Sequence, residues 1–404
     1  LIFIFLFSFS TTSQEDTTFV QAHDYVDMDW NGNYDAWGVF PNGNNTYRKI
    51  LMHYDMRCSS SGCSGWDYTT KIIILKEDGE DEEGNPIFTN GQTLANVVTP
   101  YGTYMQGGGT EGFSPNWVQR YTYDVTDFAH LLVDSVKMRA FYGGWSTGFN
   151  VTLNFEFIEG TPPRNVLNVQ NLWSGSGSYA SMDATLSDTA VFIPEDAKNS
   201  AMRVTISGHG QDGEFTPGVH YYLDLDGSPL YTQEIWRDDC GEVALYPQGG
   251  TWIYDRANWC PGDKATTREH ELTNFLTTGQ TNLLDFDIYR ANWNPAEASY
   301  IYDVQLITYE EPNFNLDVVM EDIIAPSTKQ EYFRFNPTCS NPIVKIKNQG
   351  SQTLTSANII YGFDNYPANT YTWEGSLEFG ESDIVELPPI NWYSWDEPLP
   401  FYAR

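Results

Sequence analysis

The sequence predicts an all-β chain built as sandwiches or jelly rolls, and three observations predict it. Short apolar runs recur along the chain, separated by turns rich in Gly, Asn and Asp, as in two-layer β folds. Val151, Leu153, Phe155 and Phe157 alternate with polar residues, the period of a half-buried strand. Helix-like stretches are short, such as Asp127–Val133. At 404 residues the chain is too long for one core, so two or three domains are expected.

The elements follow in order. Leu1 to Phe9 are almost wholly apolar, too short for the roughly 20 residues of a membrane span but suited to the remnant of a signal peptide over residues 1–13. A first β set follows over residues 14–160, with strands expected at Lys49–Met56, Tyr68–Leu75, Val118–Val125, Val136–Tyr142 and Asn150–Ile158. The acidic run Glu77–Glu83, which carries Gly79, reads as a solvated loop, and a calcium reading of it is disfavoured because it lacks the regular alternation of oxygen ligands. Gly160-Thr161-Pro162-Pro163-Arg164 reads as a linker. Residues 161–312 hold a second set: Thr189–Ile193, Ala201–Ser207, His220–Leu225, Asn282–Tyr289 and Tyr300–Tyr309. After Glu310-Glu311-Pro312, residues 313–404 read as a small sandwich with strands at Pro342–Lys347, Asn358–Tyr361 and Ile384–Leu387, without an evident final strand.

Composition narrows function. With 21 Lys+Arg against 54 Asp+Glu, the formal charge is −33, which repels phosphate backbones and anionic membranes and excludes nucleic acid as the expected partner. Aromatic residues reach 15% of the chain while charged residues are only 19%. That balance fits a secreted β-rich protein and is common on carbohydrate-handling surfaces. No P-loop, dinucleotide fingerprint or Gly-x-Ser-x-Gly elbow occurs. The six His are isolated, so a copper centre is not expected. A metal reading of His209, Glu214 and His220 is disfavoured because His220 starts a strand.

Five phrases carry a specific signal. Cys58-Ser-Ser-Ser-Gly-Cys63 is followed by Trp66-Asp67; then come Val98-Thr99-Pro100-Tyr101, Asp124-Val125-Thr126-Asp127-Phe128 and Thr205-Ile206-Ser207-Gly208; Cys240 precedes Tyr254-Asp255-Arg256-Ala257-Asn258-Trp259-Cys260-Pro261-Gly262. In this order the chain, over residues of about 45 to 310, resembles the bacterial peptide:N-glycosidase F family of amidases. The resemblance implies two adjacent eight-stranded jelly rolls; it does not reach the third segment, which separately resembles the C-terminal Ig-like β-sandwich modules of secreted bacterial proteins. It also implies disulfides Cys58–Cys63 and Cys240–Cys260, the second closing a loop worth roughly 3 kcal/mol in the chain-entropy model. A third family pair is missing, with Gly213 and Thr216 at its positions, and Cys339 is left over. Zinc at Cys58 and Cys63 is disfavoured, since no second pair lies nearby.

By the same resemblance Asp67 is the principal catalytic carboxylate; read from its residues alone, it is a turn residue capping a strand. Glu214, six residues before His220, matches a second carboxylate that holds or polarises water, or else is an exposed loop glutamate. Arg256 matches an arginine supporting Glu214, with a pair to Asp255 as the alternative. Trp66, Trp145, Trp259 and His209 fall on or replace substrate-binding aromatics, where flat rings stack on sugar faces; core packing is the alternative, more so for Trp259. Two departures stand out. Gly143 occupies the position of a third carboxylate expected to contact the sugar, with Glu111 as a candidate substitute, and Tyr68 replaces a basic residue after the catalytic Asp. The implied function is a monomeric, secreted, periplasmic or cell-surface hydrolase, with no cofactor, that frees N-linked glycans from glycoproteins or glycopeptides. The rival is a non-catalytic glycan- or protein-binding module on the same fold.

Overall fold

A computed structural model describes residues 16–102, 116–146, 148–336, 341–390 and 399–404. The expected leader at residues 1–13, Glu111 and Cys339 lie outside the described residues.

Among the described residues the first unit contributes eight strands: β1 (Thr17–Met28), β2 (Gly32–Val39), β3 (Tyr47–Cys58), β4 (Thr69–Glu80), β5 (Pro86–Val98), β6 (Val118–Asp124), β7 (Ser135–Tyr142) and β8 (Phe149–Glu159). They form two facing sheets, β1-β8-β3-β6 and β5-β4-β7-β2. The alternation read in the sequence is realised in β8, whose Val151, Leu153, Phe155 and Phe157 are wholly buried with Ile50, Met52, Tyr54 and Met56 of β3. The acidic run is not a loop throughout. β4 continues to Glu80, and Glu77 and Glu80 pair with Phe88 and Pro86 of β5. The ladder satisfies the backbone while the carboxylates stay in water, so a charged run becomes the tip of a hairpin.

The second unit repeats the plan with β9 (Arg164–Ser178), β10 (Thr189–Ile193), β11 (Asn199–His209), β12 (His220–Leu225), β13 (Ser228–Glu234), β15 (Thr267–Glu271), β16 (Gln280–Tyr289) and β17 (Ser299–Pro312). Its sheets are β10-β16-β12-β13 and β15-β11-β17-β9. One short strand, β14 (Asp263–Lys264), crosses over and pairs with Val97 and Val98 of β5. The two jelly rolls are also tied by Asp303 of β17, only 4% exposed, which accepts hydrogen bonds from Lys71 Nζ (2.6 Å), Thr93 Oγ1 (2.9 Å) and Ser174 Oγ (2.6 Å). A charge withdrawn from water persists only with such partners.

Among the described residues a third unit forms a sandwich of six strands, β18 (Val318–Ala325), β19 (Ile343–Asn348), β20 (Leu354–Phe363), β21 (Asn369–Leu377), β22 (Ser382–Glu386) and β23 (Phe401–Ala403), in sheets β18-β19-β22 and β21-β20-β23. The final strand that the sequence did not reveal is β23. Three residues are too few to display a period; pairing with β20 and the packing of Phe401 on Phe363 create it. Among the described residues no helix is long and apolar enough to cross a membrane. Both expected disulfides are present.

Candidate active site

Asp67 lies between the Cys58–Cys63 loop and the start of β4. Its backbone is held from both sides by one buried hydroxyl: Thr99 Oγ1 donates to Trp66 O (3.1 Å) and accepts from Tyr68 N (2.8 Å). The segment carrying Thr99 comes this close because Gly102 has no side chain; a Cβ there would lie 2.4 Å from Cys63 Cβ. Two residues after Thr99, the Tyr101 hydroxyl donates to Asp67 Oδ2 at 2.9 Å.

Across the seam, the loop closed by Cys240–Cys260 supplies Arg256, which is fully buried. Its Nη1 donates to Glu214 Oε1 (2.9 Å). Its Nη2 donates to Thr251 O (2.8 Å), Thr251 Oγ1 (2.7 Å) and Tyr101 OH (3.3 Å). The guanidinium lies 4.9 Å from the Phe215 ring and 4.7 Å from the Trp259 ring, an arrangement for which a planar cation is suited. Glu214 ends a short helical turn, Gln211–Glu214, entered through Gly210 at φ +75°. Asp67, Tyr101, Arg256 and Glu214 thus form one hydrogen-bonded chain spanning both jelly rolls. The alternative pairing of Arg256 with Asp255 does not form, and Asp255 is exposed.

Burial separates the titration of these groups. Glu214 is pushed up to about 7 by burial, with the Arg256 charge opposing and Asp67 reinforcing. Asp67 is raised by burial, opposed by the Tyr101 hydrogen bond and Arg256. Burial, with the Asp67 charge next, pushes Tyr101 up to about 12, so its hydroxyl keeps the proton it donates. A poised carboxyl beside a second carboxylate is the arrangement that proton-transfer chemistry uses.

The aromatic expectations divide. Trp66 and Trp145 are 63% and 64% exposed, and Trp145 meets a residue that sequence reasoning missed: Trp30, 54% exposed, with ring centroids 6.0 Å apart and planes at 89°. Tyr34 clamps Trp30, its hydroxyl donating to Trp30 O (2.8 Å) and accepting from Trp30 N (3.1 Å). A tryptophan in the turn Asp29-Trp30-Asn31-Gly32, among polar residues only, is the signal that flags it. Trp259 corrects the expectation of a sugar platform there. At 2% exposure it offers no face to a sugar: it backs Arg256, donates to Gly208 O (2.7 Å) and stacks on His209 at 5.3 Å. His209 bonds Ser207 Oγ (2.8 Å), and burial, with Lys71 and Arg256 adding, lowers it to about 4, so the ring is neutral. His209, Glu214 and His220 do not converge. Among the described residues no cluster of three or more His, Cys, Asp or Glu side chains has metal-binding geometry.

Gly143 is held to the start of β4, two residues after Asp67: its N–H donates to Thr69 O at 2.9 Å. Its φ is outside the left-handed region. An added Cβ would meet Thr69 O at 3.2 Å, whereas one on Gly144 would meet the Tyr142 ring at 2.1 Å. The first position therefore accepts a side chain after a small shift, and the second does not. Thr99, Tyr101 and Thr251 were also missed as site residues, although Thr99 and Tyr101 stand in a phrase that carries the resemblance.

Comparison with known proteins agrees with this fold. The family model described as "Peptide-N-glycosidase F, C terminal" matches residues 178–302. Peptide-N(4)-(N-acetyl-beta-D-glucosaminyl)asparagine amidase F of Elizabethkingia miricola is 25% identical over 257 residues, 59% of this chain and 67% of that protein. The solved structure of PNGase F, described as a glycosylasparaginase from Flavobacterium meningosepticum, superposes with a TM-score of 0.57 at 21% identity, covering 73% of this chain and 96% of that one. PNGF-II gives 0.60 at 14% identity, covering 74% and 66%. Motif order, family model and fold point the same way: over most of its two jelly rolls the chain is similar to peptide-N-glycosidase F.

Proposed function

We propose that the protein is a secreted amidase that hydrolyses the bond between an N-linked glycan and its asparagine in glycoproteins or glycopeptides. The observation that carries this reading is the chain Asp67–Tyr101–Arg256–Glu214, which joins two carboxylates across the seam of the jelly rolls. Asp67, ionised, takes a proton from water as the water oxygen attacks the side-chain amide carbon. Glu214, whose titration burial pushes up to about 7, gives its proton to the departing nitrogen. The C–N bond breaks, the sugar leaves as a glycosylamine, and asparagine becomes aspartate. Arg256 holds Glu214 and the Tyr101 hydroxyl in register, and the exposed Trp66, Trp145 and Trp30 offer faces to sugar rings. No step needs a metal or cofactor. Export is supported by the two disulfides, which persist in oxidising compartments.

The decisive experiment incubates the protein with a denatured N-glycoprotein and weighs the deglycosylated peptides, with and without a chelator. Aspartate at the former glycosylation site is the expected product in both. A sugar left on asparagine would mark an endoglycosidase, and intact glycopeptide bound to the protein would favour the rival binding module.

Gly143 is the observation that favours the rival, and it can be tested directly. Glu at this position would restore one charge-assisted hydrogen bond to the sugar, worth roughly 1.5–3 kcal/mol, or about ten- to a hundredfold in rate if realised in the transition state. Gly143→Glu is expected to raise amidase activity while circular dichroism stays that of the parent. A folded variant without gain removes the sugar contact from this position.

A further inference from the structure

The third sandwich reaches back to the candidate site through one 3-10 turn, Gln330–Phe335, which lies across the seam of the two jelly rolls. On the first, Gln330 Nε2 donates to Val118 O (3.1 Å) and its Oε1 accepts from Arg120 N (3.3 Å). Those groups belong to β6, an edge strand, so one side chain occupies hydrogen-bonding positions that a neighbouring strand would fill. On the second, Glu331 lies 3.9 Å from Lys264. Arg334 donates to Gly241 O (2.5 Å) and lays its guanidinium 3.6 Å from the centre of the Tyr246 ring. Gly241 and Tyr246 stand in the loop closed by Cys240 and Cys260.

That loop holds Tyr101. Two residues beyond Tyr246, the buried Gln248 accepts the Tyr101 N–H through Oε1 (3.2 Å) and donates through Nε2 to Leu245 O (2.9 Å) and Pro261 O (2.8 Å). Gly250, at φ +62°, packs so close to the Tyr101 ring that a Cβ would lie 3.1 Å from it. Thr251 and Arg256 then meet the hydroxyl. The contact made by Arg334 and the donor to Asp67 are therefore separated by one short, packed segment.

We propose that Arg334 is a positioning residue: the third sandwich presses the 241–251 segment onto Tyr101 and so sets the orientation of Asp67 and of the Arg256–Glu214 pair. The kinetic consequence rests on the amidase reading above; the structural one does not. The test compares Arg334→Ala and Arg334→Lys with the parent, in the full chain, by hydrogen exchange and by steady-state kinetics. Arg334→Ala is expected to speed exchange at Tyr101 and at residues 248–251 while β3 and β8 keep their protection. It is also expected to lower kcat roughly tenfold with little change in KM, since displacements of about 1 Å at reacting groups cost up to a hundredfold. Arg334→Lys, which retains a cation over Tyr246, is expected to recover part of both. Unchanged exchange at Tyr101 and residues 248–251 in the folded Ala variant overturns the proposal. So does a loss of protection spread evenly over the jelly rolls, which would make Arg334 an ordinary stabilising contact. A parent without amidase activity would sink the functional reading, and the exchange measurement would still decide whether Arg334 holds the loop.

Discussion

Replacing Asp67 by asparagine is expected to lower the amidase rate at least about a hundredfold, the usual scale for a general base. The change keeps the shape of the side chain and an oxygen to accept the Tyr101 hydroxyl, so it opens no cavity and leaves Thr99 clamping the backbone on both sides. What it removes is charge and basicity. Tyr101 cannot replace them, since its own proton is retained up to about 12. Single-turnover rates on a glycopeptide, with circular dichroism of the variant, check the expectation. An unchanged rate refutes the assignment. A variant that fails to fold returns Asp67 to the role of a turn residue ahead of β4.

Glu214→Gln carries the second large effect, a rate loss of roughly 10²–10⁴-fold, and a pH signature distinguishes it. Glu214 is protonated below about 7, and as the proton donor it makes kcat/KM fall as pH rises through that value. Asp67 must be ionised, so activity also falls in acid, at a pH above the ordinary value of an aspartate because burial raises it. Gln is neutral at every pH, so the residual activity of the variant is expected to lose the limb near neutrality and keep the acid one. Stability follows from the same shift. The folded value of Glu214 lies above its ordinary 4.5, so folding favours the protonated form. The stability this contributes is full below about 4.5 and is lost as pH rises to about 7. Thermal melts of the parent and Glu214→Gln across that window are expected to diverge. A neutral limb that persists in the Gln variant assigns it to another group.

Much of the architecture was legible because β periodicity is local. The alternation in β8 needs only neighbouring residues to be read, and the wholly buried Val151, Leu153, Phe155 and Phe157 follow from it. The hairpin extending into the acidic run and the final strand β23 were not legible, because each exists through its partner strand and not through its own pattern. Trp259 illustrates the limit for the site. A tryptophan in a matching phrase identifies a position, but only the packing of Arg256 and His209 around it shows that its faces are already occupied.

By itself the sequence determined an all-β chain, a matter of residue type and period along one dimension, and a motif order whose resemblance to a known family singled out the two carboxylates worth testing. The tertiary structure alone decided how they meet. Tyr101 is 34 residues from Asp67 and 155 from Arg256, and Arg256 is 42 from Glu214; none of these separations has a local signature. Their hydrogen bonds, the crossing of β14 and the reach of Arg334 to Tyr246 exist because two jelly rolls and a sandwich pack side by side. Burial at that seam is what raises Glu214 toward neutrality, and burial is a property of the packed surfaces, not of the glutamate.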